Sequence, residues 1–346
     1  MSTSYDTASQ LPTRRDALVV AGIDIGGTRQ SLALVQPDGS MLYRTRRTSP
    51  PNADGPTLFE GVCALLAEAL ARASATGRQV AAAGVGFGGP VDTESGVVRT
   101  SHHVPGWSGF PLRQALAERF TLPVALENDA RAATLGELYF GAGRGHRHMV
   151  YINIGTGIGG GLVLDGRLYR GSTTTAGEIG HMRVLPGGPP CPCGGRGCLE
   201  ALASGPSIAR RARSAVRQDP TAGVALLAAA DGDPQAVTSH HVVAAAAQGD
   251  PLAAQLVEET AEYLALAVTS LVNLLNPTLM VFGGGVAEAG ELLLRPVRQR
   301  VRQWALPPAG EVVTIAQASL GYDAGVLGAA ALALEHIGAL PDRTPP

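Results

Sequence analysis

Cysteine is scarce in this chain and unevenly placed. Of four cysteines in 346 residues, three fall within the eight positions from Cys191 to Cys198, and Cys63 stands apart in the apolar run VCALLAEAL. That distribution excludes a disulfide scaffold, and Cys63 reads as a small buried hydrophobe. Charge is sparse too. Charged residues make up 16% of the chain and the net charge is -2, which excludes the broad basic surface that nucleic acid would require. The arginines of RRARSAVR, from Arg210 to Arg217, recur at near-helical spacing and read as a solvated helix face. No segment suits a membrane or export. The opening MSTSYDTASQLPTRRD lacks the apolar core of a signal peptide, and the longest apolar helix candidate, AAQLVEETAEYLALAVTSLVNLLN, carries Glu258, Glu259 and Glu262. These absences predict a cytoplasmic protein. A Walker loop is missing as well, since no G-x-x-x-x-G-K-[ST] occurs.

What is present is a repeated strand pattern. ALVVAGIDIGGT is a β-branched run that breaks into glycines, and RQSLALVQPDGSML then alternates and turns at Asp38-Gly39, which predicts a hairpin. MVYINIGTGIGGGLVLDGRLY repeats the plan, with Ile152-Asn153-Ile154-Gly155 aligned on Ile23-Asp24-Ile25-Gly26. One internal duplication accounts for both. Between the copies the periodicity predicts a helix over 57–73, a strand in VAAAGVGFGG, a helix in PLRQALAERF, a strand in PVALEND and a helix in ARAATLGELYF. After the cysteine cluster the chain reads as helical to Asn276, where Asn-Pro ends a long helix. A strand into FGGGV, a helix in ELLLRPVRQRVRQWA, a strand in EVVTIAQA and a closing helix follow. The fold class is α/β: two related domains flanking a cleft.

Two stretches match G-x-G-x-x-G, at Gly84, Gly86 and Gly89 and at Gly155, Gly157 and Gly160. A dinucleotide site needs that pattern to open a helix. Here Gly89 leads into PVDTESGVV and Gly160 into the strand GLVLDG, so a nicotinamide cofactor is not expected. Tight hairpin turns hold phosphate in another way, by aiming successive backbone N–H groups inward. In DIGGT, Gly26, Gly27 and Thr28 would admit phosphate oxygens while Asp24 holds a magnesium-bound water. NIGTGIGG offers Gly155, Thr156 and Gly157, with the uncharged Asn153 in the place of Asp24. A third turn, at Gly284 and Gly285, would lie under adenine or ribose.

LEND, Leu126 to Asp129, ends a strand and starts a helix. Asp129 there has two readings: a helix N-cap, or a general base taking the proton of an alcohol during phosphoryl transfer.

DIGGT, GFGGPVD, VPGW, ENDARAATLGE, NIGTGIGGGLVLDG, GEIGHM, CPCGGRGCLEALASG and FGGGV occur in that order over about residues 18 to 337. The ordered set resembles the ROK family (repressors, open reading frames and kinases), within the superfamily of hexokinase, actin and heat-shock ATPases. The resemblance implies two actin-like (ribonuclease H-like) α/β domains and a sugar kinase. It implies a tail over 1–17, a small domain over 18–130 with 324–338, a large domain over 131–323, and a homodimer or homotetramer. Asp129 then resembles the family's catalytic base. Asn128, Asp129, Gly89, Glu178, His181 and Glu200 resemble its sugar ligands, and the three glycine turns resemble its ATP site. One departure stands out: His103-Val104 precedes Pro-Gly-Trp where many members have Asn-Leu.

His181, Cys191, Cys193 and Cys198 make a Cys₃His set suited to structural zinc. Cys-x-Cys around Pro192 is poorly arranged for a relaxed disulfide, and four local cysteines for an iron-sulfur cluster are lacking. A closed shell leaves no position for substrate, so the expected role is to staple the loop, 181–198, that presents Glu178 and Glu200 and to orient the His181 ring. The expected activity is ATP-dependent phosphorylation of a hexose at its 6-hydroxyl, in glycolysis. Glucose is the first acceptor because CPCGGRGCLE resembles the form carried by the family's glucokinases. N-acetylmannosamine and N-acetylglucosamine are alternative acceptors, fructose a lesser one, and polyphosphate an alternative donor. A sugar-sensing regulator is the competing class. Fewer than twenty residues precede ALVV, too few for a winged helix-turn-helix, and the expectation is an enzyme.

Overall fold

The computed structural model describes residues 18–100, 104–219 and 221–342. The predicted tail over 1–17 and His103 of the departing dipeptide lie outside the described residues. Two five-stranded sheets carry the duplication. The first is built from β1 (Leu18–Ile25), β2 (Arg29–Val35), β3 (Met41–Thr48), β4 (Gln79–Phe87) and β7 (Val124–Asn128), in the order β3-β2-β1-β4-β7. The short pair β5 (Val91–Asp92) and β6 (Val97–Val98) lies between β4 and β7 in sequence. The second sheet comprises β8 (Met149–Ile154), β9 (Ile158–Leu164), β10 (Arg167–Tyr169), β11 (Leu279–Gly283) and β12 (Thr314–Gln317), in the order β10-β9-β8-β11-β12. In each sheet the first three strands of the order pair antiparallel and the last two join in parallel.

Sequence explains the strands. β1 is buried along nearly its whole length, as a central strand covered on both faces must be. β3 is an edge strand with Arg44, Arg46 and Arg47, charges that discourage further strand pairing.

Helices α1 (Gly55–Ala75), α2 (Leu112–Phe120) and α3 (Asp129–Phe140) alternate with strands of the first sheet. The Asp54 side chain caps α1 by accepting from the Thr57 N–H at 2.9 Å, with Pro56 in the first turn. Cys63 is buried on this helix, and burial pushes its thiol up to about 11. Around the second sheet come α4 (Leu199–Ala203), α5 (Gly205–Gln218), α6 (Val224–Ala228), α7 (Ser239–Ala247), α8 (Pro251–Leu275), α9 (Glu291–Trp304) and α10 (Ala309–Val312), and α11 (Ala324–His336) closes the chain. α8 stops at Asn276 in the left-handed conformation, φ 46°, just before Pro277. EVVTIAQA is only half strand: residues to Val312 turn in α10, and β12 starts at Thr314. Among the described residues no helix is long and apolar enough to cross a membrane.

The chain divides into two compact units. One holds the residues up to Gly145, Gly171–Thr175 and those from Tyr322 onward; the other holds His146–Arg170 and Ala176–Gly321. The first division falls after α3, later than the residue 130/131 point read from sequence, because α3 packs against α11 in the first unit. That packing is close. A Cβ at Gly84 of β4 would lie 1.8 Å from the Ala329 carbonyl oxygen, and one at Gly328 would lie 1.8 Å from that of Ala132. The first glycine of the G-x-G-x-x-G stretch at 84–89 therefore seats a helix against a strand.

Candidate active site

In the first unit, β7 runs directly into α3, and Asn128 and Asp129 stand at the junction. Asn128 is the N-cap: its Oδ1 accepts from the Ala130 N–H at 3.1 Å and the Arg131 N–H at 3.2 Å. Asp129 is the first helical residue. Its Oδ1 accepts from the Ala130 N–H at 2.8 Å and from Asn128 Nδ2 at 2.9 Å. Its Oδ2 lies beside Gly88, 3.5 Å from where a Cβ there would stand. Burial raises the Asp129 pKa above the usual carboxylate range, and the two hydrogen bonds pull in the opposite direction. Asn128 Nδ2 also donates to the Gly89 carbonyl oxygen at 3.3 Å, which joins the GGP turn to the helix start.

Beneath this junction lies a pair the sequence reading passed over. Glu127 and Arg131 are both buried, and Arg131 Nε donates to Glu127 Oε1 at 2.7 Å. The same Glu127 oxygen accepts from the Asn128 N–H at 2.9 Å, so the ion pair grips the backbone at the cap residue, next to Asp129. Four-residue spacing on a strand-helix junction was the available signal.

Asp24 stands at the end of β1, opposite Ser31 and Gly86. Its pKa is pushed up to about 7, first by burial and then by the charge of Asp129, with Arg46 pulling it down. α11 presents Gly325 to it, and a Cβ there would lie 2.8 Å from Asp24 Oδ2. In the following turn the Gly26 N–H donates to the Arg29 carbonyl oxygen at 2.9 Å and closes the hairpin. Gly27 and Thr28 are exposed at the turn.

The second unit repeats this turn and surrounds it. The Gly155 N–H donates to the Gly157 carbonyl oxygen at 2.9 Å, leaving Thr156 exposed at the tip. Gly284, at φ 84°, brings its turn onto the end of β8, where the Val286 N–H donates to the Ile154 carbonyl oxygen at 3.0 Å. The Gly205 N–H at the start of α5 donates to the Gly155 carbonyl oxygen at 2.9 Å. His240, exposed in the first turn of α7, places Nε2 3.6 Å from the Cβ position of Gly285. Gly205 and His240 were not foreseen, because helices distant in sequence bring them to the turns. Glu200 was foreseen as a sugar ligand, and one of its oxygens is already engaged: Oε2 accepts from the Ile158 N–H at 2.8 Å. Glu178 and His181 are exposed at the two ends of one short turn.

His181, Cys191, Cys193 and Cys198 come together, their ligand atoms within 4.8 Å of one another. Cys193 Sγ and Cys198 Sγ are 3.7 Å apart, and Cys191 Sγ is 3.7 Å from His181 Nδ1. A tetrahedron of zinc-sulfur bonds of about 2.3 Å has edges of about 3.8 Å, whereas a disulfide needs about 2.05 Å. The donor set fits zinc. Burial pushes the Cys191 thiol up to about 12, and the Gly195 N–H holds that of Cys193 below its ordinary value. A divalent cation is what would make all three sulfurs thiolates together. His181 turns Nδ1 toward the cysteines, so Nε2 is the ring nitrogen left for another partner.

The model of the ROK family matches residues 20–336. The chain belongs to the ROK family. It is 40% identical to a glucokinase of Thermotoga maritima over 322 residues, covering 93% of this chain and 99% of that protein. It is also similar to the crystal structure of a ROK family glucokinase from Streptomyces griseus in complex with glucose and AMPPNP. There the TM-score is 0.79 and the identity 36%, over 92% of this chain and 99% of that one. A xylose repressor of Caldicellulosiruptor bescii is 27% identical over 96% of this chain and 82% of its own length. Of the residues singled out from the sequence, the first unit holds Asp24, Gly26 to Thr28, Gly89, Asn128 and Asp129. The second holds Gly155 to Gly157, Glu178, His181, Glu200, Gly284, Gly285 and the Cys₃His cluster.

Proposed function

We propose that this ROK chain is an ATP-dependent hexose kinase that phosphorylates glucose at the 6-hydroxyl. The observation that carries the reading is Asp129: Asn128 takes over the cap, and the Asp129 carboxylate keeps Oδ2 for a reacting group. A carboxylate whose proton affinity is raised by burial accepts a proton more readily than one in water while it remains ionised.

In the proposed reaction the sugar hydroxyl oxygen attacks the γ-phosphorus of ATP, the bond to the β-phosphate oxygen breaks, ADP leaves and the hydroxyl proton passes to Asp129. Asn128 and Gly89 in the first unit, and Glu178, His181 and Glu200 in the second, bind sugar hydroxyls. The exposed turn at Gly27 and Thr28, and that around Thr156, receives phosphate oxygens, with Gly284 and Gly285 beneath the nucleoside. A magnesium ion held through Asp24 would neutralise charge on the donor phosphates. The cysteine cluster would hold a structural zinc with no reacting group bound to it. The chain contains no lysine, so phosphate charge is met by backbone amides, the metal and arginine.

We place the enzyme in the cytoplasm, in carbohydrate metabolism. A homodimer or homotetramer is supported by the exposure of Leu274 and Leu306, on adjoining segments joined by the Leu306 N–H and Asn273 Oδ1.

A coupled assay for ADP or lost donor, run across glucose, mannose, fructose, N-acetylglucosamine and N-acetylmannosamine with ATP and polyphosphate, tests the reading. Glucose with ATP is the expected best pair, and the 6-phosphate the expected product by NMR. No turnover with any sugar, together with a DNA shift at physiological salt, would establish the regulator instead.

A further inference from the structure

The two segments that bring the metal ligands together also hold one residue of the second glycine turn. Ile158 begins β9 immediately after Gly155-Thr156-Gly157. Its N–H is taken by Glu200 Oε2 at 2.8 Å, and Glu200 lies two residues after the ligand Cys198, in the first turn of α4. Its carbonyl oxygen faces Gly180, so closely that a Cβ at Gly180 would stand 2.1 Å away, and Gly180 is the residue before the ligand His181. The segments are tied to each other as well: the Leu199 N–H donates to the Met182 carbonyl oxygen at 2.9 Å, and Arg183 bridges to Cys198. Gly157 admits the grip, since a Cβ there would fall 2.6 Å from Glu200 Oε2.

We propose that Glu200 is a positioning residue for the donor turn Gly155–Gly157, and that the Cys₃His centre, by cross-linking the segments of Gly180 and Glu200, clamps Ile158 and so sets donor binding. The inference rests on the kinase reading for what the turn binds, but the clamp itself is a property of the second unit alone. It gives Glu200 two duties: Oε2 fixes the turn and Oε1 remains for a sugar hydroxyl. It also widens the role of the metal, which by sequence served the sugar side. A carboxylate accepting from a backbone N–H is among the stronger neutral-donor bonds, and its loss frees the first residue of the strand that anchors the turn.

The test follows the turn directly. Hydrogen exchange at the amides of 154–160 is measured for the metal-loaded protein, for protein stripped with a chelator, and for Glu200→Ala and Glu200→Gln with metal content verified. The affinity for a fluorescent ATP analogue is measured in each without sugar. Stripping is expected to speed exchange at Ile158 and weaken nucleotide binding by roughly fivefold or more. Glu200→Ala should reproduce both effects with its metal still bound. Glu200→Gln, whose amide oxygen can still accept from Ile158, should lose less than Glu200→Ala. Because stripped protein can unfold, the metal-loaded Glu200→Ala decides the matter: wild-type exchange at Ile158 and wild-type nucleotide affinity in that variant would overturn the proposal. Failure of the wild type to phosphorylate any sugar would remove the kinase reading while leaving the exchange result to judge the clamp.

Discussion

Asp129 raises the proton affinity of Asp24 across Gly86, the residue of β4 that lies beside both. A Cβ at Gly86 would be 3.6 Å from the Asp129 Cα and 3.8 Å from Asp24 Oδ1. The absence of a side chain lets the carboxylate assigned to the metal and the carboxylate assigned to the proton sense each other without touching. On the proposed mechanism both are ionised when the reaction starts, and the charge of Asp129 makes ionisation of Asp24 harder.

Asp129→Asn removes the proton acceptor while keeping the size of the side chain. Turnover should fall by about 10² to 10⁴, with metal content and nucleotide affinity maintained. Near wild-type kcat in that variant would remove Asp129 from the base role.

The pH dependence follows from Asp24. Its pKa is about 7 in the folded chain against an ordinary value of 3.8, so the folded state holds this proton more tightly than the unfolded one. Stability contributed by this group is fully present below about pH 4 and is lost as pH rises through about 7, amounting to no more than about 4 kcal/mol. Asp24→Asn should therefore gain on the wild type in Tm as pH rises from 4 to 7, without nucleotide or divalent metal, and gain no further above that. In the wild type the KM for magnesium-ATP should rise as pH falls below 7, and Asp129→Asn should move the stability transition to lower pH. A Tm difference independent of pH would refute the assignment.

Gly325 separates stability from activity. An alanine in the first turn of α11 gains helix propensity of up to about 1 kcal/mol, but its methyl would stand 2.8 Å from the Asp24 carboxylate. Gly325→Ala should stay folded by circular dichroism and lose donor affinity severalfold in steady-state kinetics, because Asp24 must move. Unchanged KM for magnesium-ATP would show that Asp24 has room to spare.

Glu127→Ala leaves Arg131 buried without this carboxylate, and breaking such a pair costs roughly 3–5 kcal/mol. Chemical denaturation should register that loss. Glu127→Gln, which keeps an acceptor for the Asn128 N–H, should retain more stability and more kcat than the alanine variant.

The cysteine cluster should bind one zinc per chain, measured by elemental analysis, and cobalt substitution should give the visible bands of a tetrahedral thiolate site. Cys198→Ser is expected to lower metal content and Tm together.

Local signals in the sequence located much of this. The β-branched runs ending in glycine placed β1 and β8, and Asn276-Pro277 placed the end of α8, because those features act through neighbouring backbone alone. EVVTIAQA misled because its β-branched residues straddle a helical turn after Pro308 that local propensity does not reveal. Asp129 could be read as cap or base, since one residue type serves both. The N-cap itself is Asn128, which only its side-chain geometry shows.

By itself the sequence determined the α/β class, the duplication, the four zinc-type ligands and the candidate base, since each rests on residue type and spacing. Tertiary structure decided what those residues touch. It buried Glu127 against Arg131, set Gly325 against Asp24, brought Gly205 to the second turn and His240 to the third, and gave one oxygen of Glu200 to Ile158. The reason is range: spacing along a chain fixes neighbours within a few residues, whereas contacts between residues tens or hundreds of positions apart exist only once sheets and helices have packed.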